Sequence, residues 1–135
     1  MGQPVVRFEI EGKDGDALRS FYSDLFGWEI DTSVMPQYGM VQREGNTNAE
    51  GIGIAGAVSD IPERPSTTWR GSPRDQGKVT VYVEVPDVEA ALVQAESLGG
   101  KRMLGPDEVG QGVVIGKFAD PEGILIGVVG TVSPA

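Results

Sequence analysis

The stretch Lys78–Gly100, KVTVYVEVPDVEAALVQAESLGG, decides the fold. Val79, Val81, Val83 and Val85 alternate with Lys78, Thr80, Tyr82 and Glu84. That is the period of a strand with one face on a core and the other in different surroundings. Pro86 closes the strand, and Asp87 is placed to cap the helix that follows. Val88, Ala91, Leu92, Ala95 and Leu98 make its apolar stripe, and Gly99–Gly100 end it. The helix must lie on the valine face, because only that face lacks polar groups.

The same unit occurs earlier, in Val5–Trp28, VVRFEIEGKDGDALRSFYSDLFGW. Val6, Phe8 and Ile10 alternate with Val5, Arg7 and Glu9, and Asp14 or Asp16 can cap the helix. Leu18, Phe21, Tyr22, Leu25 and Phe26 form one stripe, which predicts that this face is buried; Gly27 stands where a left-handed residue would end the helix. Further strands are predicted at Trp28–Thr32, Tyr38–Glu44 and Gly51–Val58. In the second half they are predicted at Lys101–Leu104, before a loop around Gly105–Pro106, then at Gly112–Ala119 and Ile124–Gly130. Asp120-Pro121-Glu122-Gly123 has the residue preferences of a type I turn and should join the last two strands as a hairpin. Both halves therefore read β-α-β-β-β, an internal repeat.

With 135 residues the chain is expected to form one domain of two modules, about 4–58 and 78–130, joined by a linker at 59–77. The linker is irregular and rich in Pro, and its Trp69 is a candidate to cover a site. The net charge of −9 is spread over both halves without a basic patch, which argues against a nucleic-acid partner. Without cysteine there is neither disulfide framework nor thiol chemistry. Without histidine the commonest general base and metal ligand are also missing. No apolar run approaches a membrane span, and the N-terminus has no signal-peptide pattern, so a soluble cytoplasmic protein with no membrane partner is expected.

The repeat carries FYSDLFGW at the end of the first helix, a DVEAAL second helix closed by GG, and the DPEG turn. In these features the chain resembles the vicinal oxygen chelate superfamily of glyoxalase I, the bleomycin resistance proteins and the extradiol dioxygenases. The resemblance implies an α+β fold in which two tandem βαβββ modules form a half-open, mostly antiparallel barrel around a concave cavity. Enzymes of the superfamily hold a divalent metal there, through residues on the first and last strand of each module. The positions this designates are Arg7, Thr80, Gly127 and one residue of Gly51–Val58. None is a competent ligand set, so neither metal nor other cofactor is expected. The resemblance also makes a homodimer an expectation.

If the valine and aliphatic stripes face the helices, Arg7, Glu9, Thr80, Tyr82 and Glu84 face the concave side, with Gly127 among the apolar walls. A few convergent polar groups over apolar walls is how small-molecule sites are built. Arg7, Glu9, Trp69, Thr80, Tyr82, Glu84 and Gly127 are thus the candidate ligand-binding residues, with no catalytic residue assigned. Arg7 either closes an ion-pair network with Glu9 and Glu84 or offers its guanidinium to a ligand oxygen. Three functions follow from this face. The first is a metal-independent protein that binds a small organic molecule, in the manner of the bleomycin resistance proteins. The second is a metal-free isomerase or lyase, with Arg7 as electrophile and Glu9 or Glu84 as base. The third is an interaction domain with a vestigial cavity.

Overall fold

The computed structural model describes residues 2–61 and 77–132, which leaves Trp69 and most of the linker outside the described residues. The first half forms β1 (Val5–Gly12), α1 (Gly15–Phe26), β2 (Ile30–Asp31), β3 (Tyr38–Val41) and β4 (Ala55–Asp60). The second forms β5 (Lys78–Glu84), α2 (Val88–Ser97), β6 (Lys101–Gly110), β7 (Val113–Ala119) and β8 (Leu125–Thr131). The fold is α+β, with the βαβββ order used twice. By compactness the described chain divides into two units, residues 6–61 with 77–80 and residues 2–5 with 81–132.

In the first unit β4 pairs in parallel with β1, from Arg7↔Ala55 to Gly12↔Asp60, and antiparallel with β3, which pairs antiparallel with β2. Asp14 is the N-cap of α1, accepting from the Ala17 N–H at 3.1 Å, while Asp16 lies in the first turn. Gly27 ends the helix with φ 73°, a conformation other residues avoid. The α1 face differs from the expected one. Phe21, Leu25 and Phe26 are each more than half exposed, and the buried helix positions are Gly15 and Arg19. The Arg19 guanidinium donates to Asp16 at 2.7 Å, to Asp60 at 3.0 Å and to the Val58 carbonyl at 3.3 Å. Those partners on β4 fix which side of α1 turns inward. The aromatic side chains instead cluster along the flank, with Phe8, Tyr22 and Phe26 each within 6 Å of the Trp28 ring.

In the second unit β8 pairs in parallel with β5, with Tyr82 opposite Gly127, and antiparallel with β7; β6 is the outer strand. Asp87 caps α2 as expected, accepting from the Ala90 N–H at 3.0 Å. The core consists of Val85, Val88, Leu92 and Val128, with Val83, Ala91, Val114 and Phe118 packed on it. The valine stripe of β5 therefore turns toward α2 at Val83 and Val85, but Val79 is exposed. It lies four residues from Val83, about 13 Å along the strand, beyond that core. Leu98, at the other end of the helical stripe, is exposed too. The Asp120 carbonyl accepts from the Gly123 N–H at 2.8 Å, closing the β7–β8 hairpin where the DPEG turn was predicted. β6 runs through Gly105–Pro106 rather than stopping before it, with register shifts on either side. An outer strand tolerates a proline, since its missing N–H need not point at a neighbour.

Candidate functional site

Each module has one sheet face packed by its helix and one face that is not. In the first unit strand register puts Arg7, Glu9 and Glu11 of β1, Tyr38 and Met40 of β3, and Ala57 and Ser59 of β4 on the second kind of face. Arg7 is half-buried and Glu9 is buried. The Tyr38 hydroxyl donates to the Glu9 carboxylate at 3.1 Å. Burial, followed by the charge of Glu9, pushes the Tyr38 hydroxyl up to about 12, while the Arg7 guanidinium acts in the opposite direction. The phenol therefore remains a proton donor at neutral pH, with a carboxylate and a guanidinium beside it. Two hydroxyls belong to this unit as well. Ser59 and Thr80 are each only 2% exposed, and neither side-chain oxygen has a hydrogen-bond partner.

In the second unit the corresponding face carries Tyr82, Lys117 and Gly127. Tyr82 and Lys117 are both buried, and the Lys117 ammonium lies 5.8 Å from the centre of the Tyr82 ring, a cation–π contact. A side chain on Gly127 would meet that ring at 2.5 Å, so the glycine makes room for Tyr82. Glu84 is exposed, and its backbone N–H donates to the Pro4 carbonyl at 2.9 Å.

Of the candidate residues, the first unit thus brings together Arg7 and Glu9 and also holds Thr80, while the second pairs Tyr82 with Gly127. Trp69 lies outside the described residues. Tyr38, Ser59 and Lys117 were not singled out from the sequence. Tyr38 stood at the start of a predicted strand, and its role depends on pairing β3 with β4 beside β1. Ser59 was assigned to the linker, whereas β4 continues to Asp60. Lys117 lies in an alternating strand like any lysine, and only tertiary packing buries it. A cavity of about 340 Å³ opens elsewhere, on the helix side of the second unit, among Val83, Val85, Ala95, Leu98 and Phe118. Its polar lining is confined to Gln3, Gln94 and Asp120, so it offers volume without a cationic anchor, and none of the candidate residues lines it.

The positions designated for a metal do not suit one. Register places Ala55 opposite Arg7, and Gly127 is filled over by Tyr82, which leaves the Thr80 hydroxyl as the one neutral oxygen donor. Among the described residues no group of three or more Asp or Glu side chains gathers to replace it.

Known proteins agree with this architecture. The chain is 27% identical over 120 residues to the CFP32 protein of Mycobacterium tuberculosis and Mycobacterium bovis, named a glyoxylase. The match takes in 88% of this chain and 42% of the length of those relatives. Among solved structures, Streptomyces coelicolor methylmalonyl-CoA epimerase in complex with 2-nitronate-propionyl-CoA superposes with a TM-score of 0.61 at 17% identity, covering 97% of this chain and 99% of its own. A superfamily member from Vibrio splendidus 12B01 superposes with a TM-score of 0.56 at 17% identity, covering 96% and 99%. A family model matches residues 5–128, nearly the whole repeat, and the chain belongs to the glyoxalase/bleomycin resistance protein/dioxygenase superfamily.

Proposed function

We propose that this superfamily member binds a small organic molecule without a metal ion, on the sheet faces that the helices leave uncovered. The observation that carries the reading is the cluster of Arg7, Glu9 and Tyr38: a cation, a carboxylate and a protonated phenol brought together on one partly buried face. The chemistry of the designated metal positions supports the metal-free part, since one is a permanent cation and Ala55 and Gly127 have no donor. A thermal-shift screen of anionic and cationic metabolites, run on the protein and on Arg7→Ala, tests binding. Shifts that disappear in Arg7→Ala support the site, and equal shifts in both proteins put binding elsewhere. Complete absence of hits favours the interaction-domain reading. Elemental analysis after dialysis tests the metal: one divalent ion per chain, removed by chelator with loss of stability, would refute metal independence.

A second reading is favoured by the contact between Tyr38 and Glu9. A buried carboxylate that accepts from a phenol and lies near a guanidinium is equipped to move a proton next to a carbonyl. In this reading Arg7 stabilises the developing enolate oxygen and Glu9, rather than the exposed Glu84, takes the proton. Exchange of substrate α-protons with deuterated solvent, abolished in Glu9→Gln, distinguishes turnover from binding.

A further inference from the structure

We propose that the buried hydroxyls of Ser59 and Thr80 are recognition positions, and that the ligand they read is a small carboxylate; this rests on the binding reading above. Both oxygens are enclosed and lack a hydrogen-bond partner, an arrangement that costs free energy unless something else supplies the bond. Register puts Ser59 directly opposite Tyr38 and level with Glu11, on the face that carries Arg7 and Glu9.

The charge of the ligand follows from which groups on that face already have partners. Glu9 accepts from Tyr38, and Arg7 also hydrogen-bonds to the Tyr38 hydroxyl but has no ion pair with a carboxylate among the described residues. Arg7 is the one cation of β1, beside Glu9 and Glu11, and what it can still pair with is an anion. A planar guanidinium fork matches the two oxygens of a carboxylate better than any neutral acceptor. Hydroxyls that rotate freely can donate to an oxygen placed deeper in the site. A short dicarboxylate has an oxygen pair for Arg7 and a second for a hydroxyl.

The test uses malonate and succinate as probes, malonamide as the uncharged control and ethanolamine as the cationic one. Full-length protein, Ser59→Ala and Thr80→Val are each melted without ligand and then titrated calorimetrically. Removing an unpartnered hydroxyl should leave the ligand-free melting temperature unchanged or raise it. The same substitution should weaken dicarboxylate binding by about tenfold, the worth of one hydrogen bond to a charged group. Opposite signs on stability and affinity are the signature of a group kept for a ligand. A lower ligand-free melting temperature, or failure of either variant to fold, would show that the hydroxyl carries structure and would overturn the proposal. Equal dicarboxylate affinity in all three proteins would remove the recognition role while leaving small-molecule binding in place. Binding of ethanolamine or malonamide but of neither dicarboxylate would overturn the ligand class alone. Failure of every compound in a wider screen would remove the binding reading together with this inference.

Discussion

Replacing Arg19 by Ala should be among the most damaging single changes in the first unit, although a helical wheel would place this residue beside an apolar face. The Arg19 side chain is 9% exposed, and its partners differ sharply, Asp16 at 96% and Asp60 at 29%. Removing the guanidinium leaves Asp60 and the Val58 carbonyl without this donor and empties the space beside Gly39 and Ile30 that the arginine stem fills. Breaking a largely buried pair from one side costs about 3–5 kcal/mol. The partial exposure of Asp60 moves the expectation to the lower end, about 3 kcal/mol. Against a total of roughly 5–15 kcal/mol that is a large share, and it corresponds to a fall in melting temperature of about 10 °C. Asp16, an exposed partner, should contribute only about 0.2–0.5 kcal/mol. Urea denaturation of Arg19→Ala, Asp60→Ala, Asp16→Ala and the two double mutants gives the coupling energies directly. The expected result is a coupling of about 1–3 kcal/mol with Asp60 and a few tenths with Asp16. Equal couplings, or a Phe21→Ser variant that costs more than Arg19→Ala, would refute the view that this ion pair rather than the aromatic stripe docks α1.

Three further outcomes are expected. Val83→Asp should abolish folding, because an unpaired carboxylate among Val85, Leu92 and Val128 costs several kcal/mol; a native circular dichroism spectrum and an unchanged melting point would show that the faces of β5 are reversed. Gly127→Ala should destabilise by about 1–3 kcal/mol through overpacking against Tyr82, and the cost should shrink in a Tyr82→Ala background when both are measured by urea denaturation. For Tyr38 the folded value is raised from 10.0 to about 12, so its contribution to stability is complete below pH 10 and is lost as pH climbs toward 12. Alkaline unfolding followed by absorbance should accordingly move to higher pH in Tyr38→Phe; an unchanged alkaline limb would show that the phenol is not held in its neutral form.

The repeat, the helix caps and the closing hairpin were legible because each depends on neighbours in sequence. Asp14 and Asp87 cap their helices through contacts three residues away, and the DPEG turn closes on itself. The faces of β1 and β5 were legible from alternation alone. The inward face of α1 was not, because it depends on Asp60 and the Val58 carbonyl, about forty residues distant, and periodicity counts a charged residue as outward. The shared face of Arg7 and Glu9 in the first unit, and the face of Tyr82 in the second, followed from strand parity. Tyr38 and Ser59 required knowing that β3 and β4 pair beside β1, and that β4 extends past Val58. Tertiary packing also decides the burial of Lys117.

The ring of Tyr82 over Gly127 also constrains how this chain can change with time. A carboxylate at 127 is what a metal-using relative would need there, yet its Cβ alone would meet the ring at 2.5 Å. A mutation to Glu would have to wait until Tyr82 had shrunk, and losing Tyr82 first would uncover Lys117 with no compensating gain. The two steps are favourable only together. In chains that keep this tyrosine, position 127 is therefore closed to larger side chains, and what it can become is set by residue 82.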